Sequence, residues 1–120
     1  MSQPSPAPVT VAGRALEHPV RERIRLDQVL QALADPLRLS VLHKLAAAGP
    51  GAELSCSDLD LPVSKSTSTH HFRVLREAGL IQQVYRGTAK MNALRRDDLE
   101  VLFPGLLEAV LAAAARERRR

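Results

Sequence analysis

The stretch SKSTSTHHFRVLREAGLI, residues 64 to 81, opens with small, hydroxyl-bearing and basic side chains and passes two histidines. It turns apolar only from Phe72 onward and carries a glycine at position 79. On a helix with Phe72 at the centre of one face, Ser68, Leu75 and Gly79 fall on the same side, with Ala78 nearby. Ser66, His70, Arg73 and Glu77 share the opposite side, flanked by Thr67 and Thr69. Ser64 is placed to cap this helix and Gly79 to end it. The pattern describes a helix anchored by its C-terminal half and polar along its N-terminal half. A helix that reads the major groove of DNA needs that division, because its N-terminal residues approach the bases.

The flanks fit the same reading. Residues 55 to 59 have room for one or two helical turns before Pro62, with Ser55 or Ser57 placed to cap them. A short helix, a tight turn and a following helix make a helix-turn-helix. Downstream, Ile81, Gln83 and Tyr85 alternate with Gln82, Val84 and Arg86. Gly87-Thr88 and a second run over residues 90 to 94 then complete a hairpin. Upstream, Ile24, Leu26, Val29, Leu30 and Leu33 recur at helical spacing up to Asp35-Pro36. Asp35 can cap a second helix with Pro36 in its first position, where a missing N–H costs nothing. That helix carries Leu37, Leu39, Val41, Leu42 and Leu45 as far as Gly49-Pro50-Gly51. A last helix starts at Asp97 or Asp98 with Leu99, Leu102, Leu106, Val110 and Leu111 on one stripe, and Pro104-Gly105 predicts a kink or break within it.

The expected fold is therefore mainly α with a small β-hairpin, a winged helix-turn-helix. Residues 1 to 20 hold four of the eight prolines and are expected to form a flexible N-terminal arm. Residues 21 to 115 are expected to form the DNA-binding and dimerisation domain, and residues 116 to 120 a basic tail.

A chain of 120 residues accommodates one domain, and with three aromatics its core must be Leu, Val, Ile and Ala. The single cysteine, Cys56, excludes an internal disulfide. No apolar run reaches the length of a membrane span and no signal peptide is evident, so a cytoplasmic protein without membrane association is expected. The net charge of +4 is unevenly placed. Residues 64 to 96 carry Lys65, Arg73, Arg76, Arg86, Lys90, Arg95 and Arg96 against Glu77 alone, whereas residues 97 to 115 carry four acids and no base. A concentrated positive field is the footprint of a polyanion partner. Double-stranded DNA is the expected partner. Ser64, Lys65, Ser66, Thr67, Thr69, His70 and Arg73 would contact it from the helix, and Arg86 and Lys90 from around the hairpin turn. Arg73 can bond a guanine edge or a phosphate, while Arg86 and Lys90 suit an adjacent phosphate or the minor groove.

Other chemistries find no constellation. His70 and His71 point about 100° apart on a helix and cannot chelate one ion together. No third group orients a base beside the Ser, Thr and His residues, so no enzyme is expected, and no cofactor or metal. Cys56 has three readings: a small buried hydrophobe under the helix-turn-helix, a redox or electrophile sensor, or a lone ligand of a metal bridging two subunits. His71 is expected to pack against the helix flank, and His18 lies in the arm.

LADPLRLSVLHKL, SKSTSTHHFRVLREAGLI and YRGTAKMNAL occur in that order, and in these motifs the chain resembles the ArsR/SmtB family of winged-helix repressors over residues 24 to 111. They resemble that family's second helix, its recognition helix with the following strand, and its wing. The resemblance implies a homodimer, with the first and last helices at the interface, and autoregulated repression released by an inducer. Metal-sensing members read ELCVCDL where this chain reads Glu53-Leu54-Ser55-Cys56-Ser57-Asp58-Leu59, with Ser at both ligand positions. The last helix, where the other common metal site uses Asp and His, has no His. DNA binding and dimerisation are thus carried over and metal sensing is not. An unknown small-molecule inducer is what the resemblance implies in its place, and a constitutive repressor without an inducer would carry the same residues. Two rival readings stand beside this one: a thiol- or metal-responsive repressor using Cys56, and a winged-helix module that binds protein.

Overall fold

The computed structural model describes residues 13–120. In chain order it contains β1 (Arg14–Ala15), a 3-10 turn (Arg21–Arg23), α1 (Leu26–Leu33), α2 (Pro36–Ala47), β2 (Leu54–Ser55), α3 (Cys56–Leu59), α4 (Lys65–Ala78), β3 (Ile81–Arg86), β4 (Ala89–Leu94), α5 (Arg96–Leu102) and α6 (Leu106–Arg118). The helices and hairpin take the expected order, and the helix-turn-helix is α3, its turn and α4.

Local chemistry sets most boundaries. The Asp35 carboxylate accepts the Leu37 and Arg38 amide hydrogens at 2.8 and 3.1 Å, and Pro36 opens α2. Ser55 Oγ accepts the Asp58 N–H at 3.0 Å while the Asp58 carboxylate accepts the Ser55 N–H at 3.0 Å, a reciprocal capping box that starts α3. Gly79 ends α4 at φ 90°. A side chain there would be strained twice over, because a Cβ would also lie 2.5 Å from Ile24 Cγ1. Pro104-Gly105 breaks the last helical stretch outright, separating α5 from α6.

Val29 and Leu33 of α1, Val41, Leu42 and Leu45 of α2, and Leu59 of α3 meet Phe72 and Leu75 of α4 in one core. Leu80, Ile81, Leu99 and Leu107 extend it. The first helix begins later than its apolar pattern implies. Ile24 precedes it in extended backbone, and its side chain fills the notch beside Gly79.

The sheet is larger than a hairpin. Four strands pair antiparallel in the order β1-β3-β4-β2. Two-residue strands such as β1 and β2 leave no periodicity to read, and only tertiary pairing creates them. Residues 13 to 20, placed in the expected arm, dock on the edge of β3. The Leu16 N–H donates to Gln83 O at 3.2 Å, the Gln83 N–H donates to His18 Nε2 at 2.8 Å, and Arg95 Nη1 donates to Pro19 O at 2.7 Å. The expectation for residues 1 to 12 lies outside the described residues. At the other end, α6 continues to Arg118, so residues 116 to 118 of the expected tail are helical.

Candidate nucleic-acid interface

Asp60 ends α3 in the left-handed region at φ 40°, Leu61 is buried, and Ser64 caps α4 by accepting the Thr67 N–H at 3.2 Å. The Ser64 hydroxyl also donates to Thr67 Oγ1 at 3.0 Å. Beyond this turn the two halves of α4 differ. Phe72, Leu75 and Ala78 are buried, whereas Ser64, Lys65, Ser66, Thr67, Thr69, His70 and Arg73 are exposed. The seven helix-borne candidates thus lie together on the open part of α4 and its cap. Lys65 and Arg73 meet no carboxylate among the described residues.

His71 faces the opposite way. It is 8% exposed, with Nδ1 3.1 Å from Arg38 Nη1. The same guanidinium donates to Ala32 O at 2.7 Å. A guanidinium only donates, so His71 Nδ1 serves as acceptor, and the pair joins α4 to the end of α1.

The wing is held by a buried polar chain. Arg76 Nη1 donates to Gln83 Oε1 at 2.6 Å and Gln83 Nε2 donates to Asn92 Oδ1 at 2.8 Å. Asn92 Nδ2 then donates to Leu54 O at 3.1 Å and reaches Cys56 Sγ at 3.4 Å. Gln83 and Asn92 are fully buried, so this chain fixes the register of β3, β4 and β2 against the last turn of α4. The residues were missed in the sequence, although a signal existed: Gln83 sits in the inward phase of the alternation that runs from Ile81.

The two wing cations differ. Lys90 is half-buried, with Nζ 5.6 Å from the centre of the Tyr85 ring. Arg86 is engaged within the protein: its Nε and Nη2 donate to the two carboxylate oxygens of Glu53, both at 2.7 Å. The Arg86 bond holds the Glu53 carboxyl below its ordinary range. Glu53 precedes β2, so no period in the sequence connects it with the hairpin turn. Much of the Arg86 charge is therefore already countered within the protein.

Cys56 is half-buried at the start of α3, and Ser55 beside it is occupied as a helix cap. His18, silent in the sequence, accepts the Gln83 N–H. Burial, with help from Arg95, pushes its pKa down to about 4. Among the described residues no helix is long and apolar enough to cross a membrane.

With this geometry in view, the comparisons are concordant. A family profile described as a helix-turn-helix domain matches residues 33–84, the span from the end of α1 into β3. The chain is similar to the uncharacterized HTH-type transcriptional regulator YceK of Bacillus subtilis (strain 168). The two are 35% identical over 85 residues, covering 69% of this chain and 83% of the relative. A crystal structure of an ArsR family transcriptional regulator superposes with a TM-score of 0.57 at 24% identity, covering 79% of this chain and 97% of that one.

Proposed function

We infer that this chain, which belongs to the HTH-type transcriptional regulators and shares the fold of an ArsR family member, is a DNA-binding, homodimeric repressor of the ArsR type that binds an inverted-repeat operator and is not an enzyme. The observation that carries this reading is the open N-terminal half of α4. Ser64, Lys65, Ser66, Thr67, Thr69, His70 and Arg73 stand exposed there on a helix seated by Phe72 and Leu75. Ser and Thr hydroxyls bond base edges or phosphates, and Arg73 has the fork that matches a guanine edge. The helix N-terminus itself favours a phosphate.

Dimerisation is supported by apolar surface left open on the helices outside the helix-turn-helix. Leu26 and Leu30 of α1 are each 45% exposed and Val101 of α5 is 59% exposed. A two-fold dimer burying these residues would present two α4 helices to half-sites one helical turn apart, ~34–36 Å.

Fluorescence anisotropy on a fragment from upstream of the gene, with a scrambled control at two salt concentrations, tests the reading. Binding tighter than about 10⁻⁸ M with a large preference over the control is expected. Equal, weak, salt-sensitive binding to both fragments would sink it.

A thiol-responsive repressor is the second reading, favoured by the position of Cys56 Sγ on the polar chain that leads to α4. The first reading expects a Cys56→Ser variant to release DNA on the physiological signal as the wild type does. A variant that binds but no longer releases would favour the second.

A further inference from the structure

We propose that Arg14, carried to the wing by strand β1, is a DNA-phosphate contact that acts as a pair with Lys90 across the Tyr85 ring. The proposal rests on the DNA-binding reading above and adds to it a residue from outside the helix-turn-helix and its hairpin.

Strand register aligns Arg14 with Tyr85 and Tyr85 with Lys90, so the three form one cross-strand row. Residues directly opposite one another in antiparallel pairs project from the same face. The Arg14 guanidinium carbon lies 4.8 Å from the Tyr85 ring centre and Lys90 Nζ lies 5.6 Å from it. Both are within cation–π range. The row sits one pair from the Arg86–Ala89 pair that closes the hairpin turn, at the protruding end of the wing.

Charge balance points to an anion. Neither Arg14 nor Lys90 meets a carboxylate among the described residues, and residues 1 to 12 contain no Asp or Glu. Arg86 on the same hairpin is already held by Glu53. Two like charges fixed over one ring repel each other until a counter-charge arrives. A phosphodiester supplies that charge, and its arrival releases condensed counterions from the DNA. Contacts of this kind position a protein on the duplex without reading its sequence.

Arg14 is placed firmly enough for the task. Gly13 holds φ 120°, and a Cβ there would lie 2.6 Å from Tyr85 O, so the close approach of β1 to β3 requires glycine. Leu16 and His18 bond the backbone of Gln83 just beyond.

The test is the salt dependence of operator and scrambled-DNA binding for the full chain and its Arg14→Gln, Arg14→Lys, Lys90→Gln and Gly13→Val variants. Arg14→Gln and Lys90→Gln should each lower the slope of log K against log salt by about 0.9 and weaken both DNAs alike. Arg14→Lys should keep the slope. Gly13→Val, which disturbs β1 without removing charge, should lose it as Arg14→Gln does. An unchanged slope in Arg14→Gln, with wild-type binding intact, overturns this proposal alone. Arg14→Lys behaving like Arg14→Gln assigns the residue to holding the strand, and also overturns it. Wild-type protein that binds neither DNA overturns the DNA-binding reading and this proposal together.

Discussion

Helix α4 and the wing both offer cations to solvent, but they hold them by different means. On α4, Lys65 and Arg73 are exposed because of where they fall around a helix whose other face is packed by Phe72 and Leu75. Their placement follows from the cap at Ser64 and from helical geometry, both local. In the wing every cation is governed by a neighbour from elsewhere in the chain. Arg86 is countered by Glu53 from before β2, Lys90 lies over Tyr85 of the adjacent strand, and Arg14 arrives on a strand from the N-terminal segment. The contrast teaches that charge alone does not identify a contact in a sheet, where the cross-strand partner decides whether a charge is available.

The largest expected effect removes the support that both regions share. Leu75 is fully buried on the inner face of α4, and Leu75→Ala should cost about 2–5 kcal/mol of stability. Urea unfolding measures it, and DNA affinity should fall with the folded fraction. A loss below about 1 kcal/mol would mean that α4 is not seated as described.

The next effect separates the two regions. Arg73→Ala should weaken operator binding by about 1–3 kcal/mol and relax preference at one position, whereas Lys90→Gln should weaken operator and scrambled DNA equally. Indistinguishable profiles for the two variants would break the distinction between a reading helix and a positioning wing.

A smaller effect sharpens the contrast within the wing. Glu53→Gln removes the charge that counters Arg86, so DNA binding should tighten a few-fold and its salt slope steepen by up to about one. Unchanged anisotropy titrations would show that Arg86 lies away from the DNA whatever its partner.

The smallest effect concerns the docked N-terminal segment. His18 accepts the Gln83 N–H in its neutral form, and its pKa in the fold is about 4 against an ordinary 6.5. The unfolded or undocked chain therefore binds the proton more readily between those values. The His18 contribution should be complete above pH 6.5 and be lost as pH falls from there toward 4. Hydrogen exchange at the Gln83 amide across this window reads it, and a His18→Phe variant should remove that part of the pH dependence. A His18 imidazole that titrates near 6.5 by NMR would exclude the docked arrangement.

Legibility followed the range of the interactions. Asp35-Pro36, Ser64 and Gly79 announced their roles because capping and helix termination are settled within a few residues. The exposure of the seven candidate residues on α4 and its cap was legible for the same reason. Gln83 offered a partial clue, a polar side chain in the inward phase of a strand, but its partners Arg76 and Asn92 appear only when α4 packs on β3 and β4. The spacing of Ile24 fits a helix. The structure uses it instead as a plug beside Gly79, a contact between residues far apart in the chain. Residues 13 to 20, with Pro19 and no apolar period, read as an arm. They dock because β3 presents a free edge whose backbone groups need partners.

By itself the sequence determined the helix-turn-helix, the face α4 turns outward, the hairpin after it and an interruption, kink or break, at Pro104-Gly105. Each depends on periodicity, caps or turn residues acting over short separations. Only the tertiary structure decided that β1 and β2 extend the wing to four strands, that Glu53 engages Arg86, and that Arg14 joins Lys90 over Tyr85. Those arrangements rest on pairing between distant segments. A two-residue strand or a single ion pair has no local preference strong enough to be written in the residues around it.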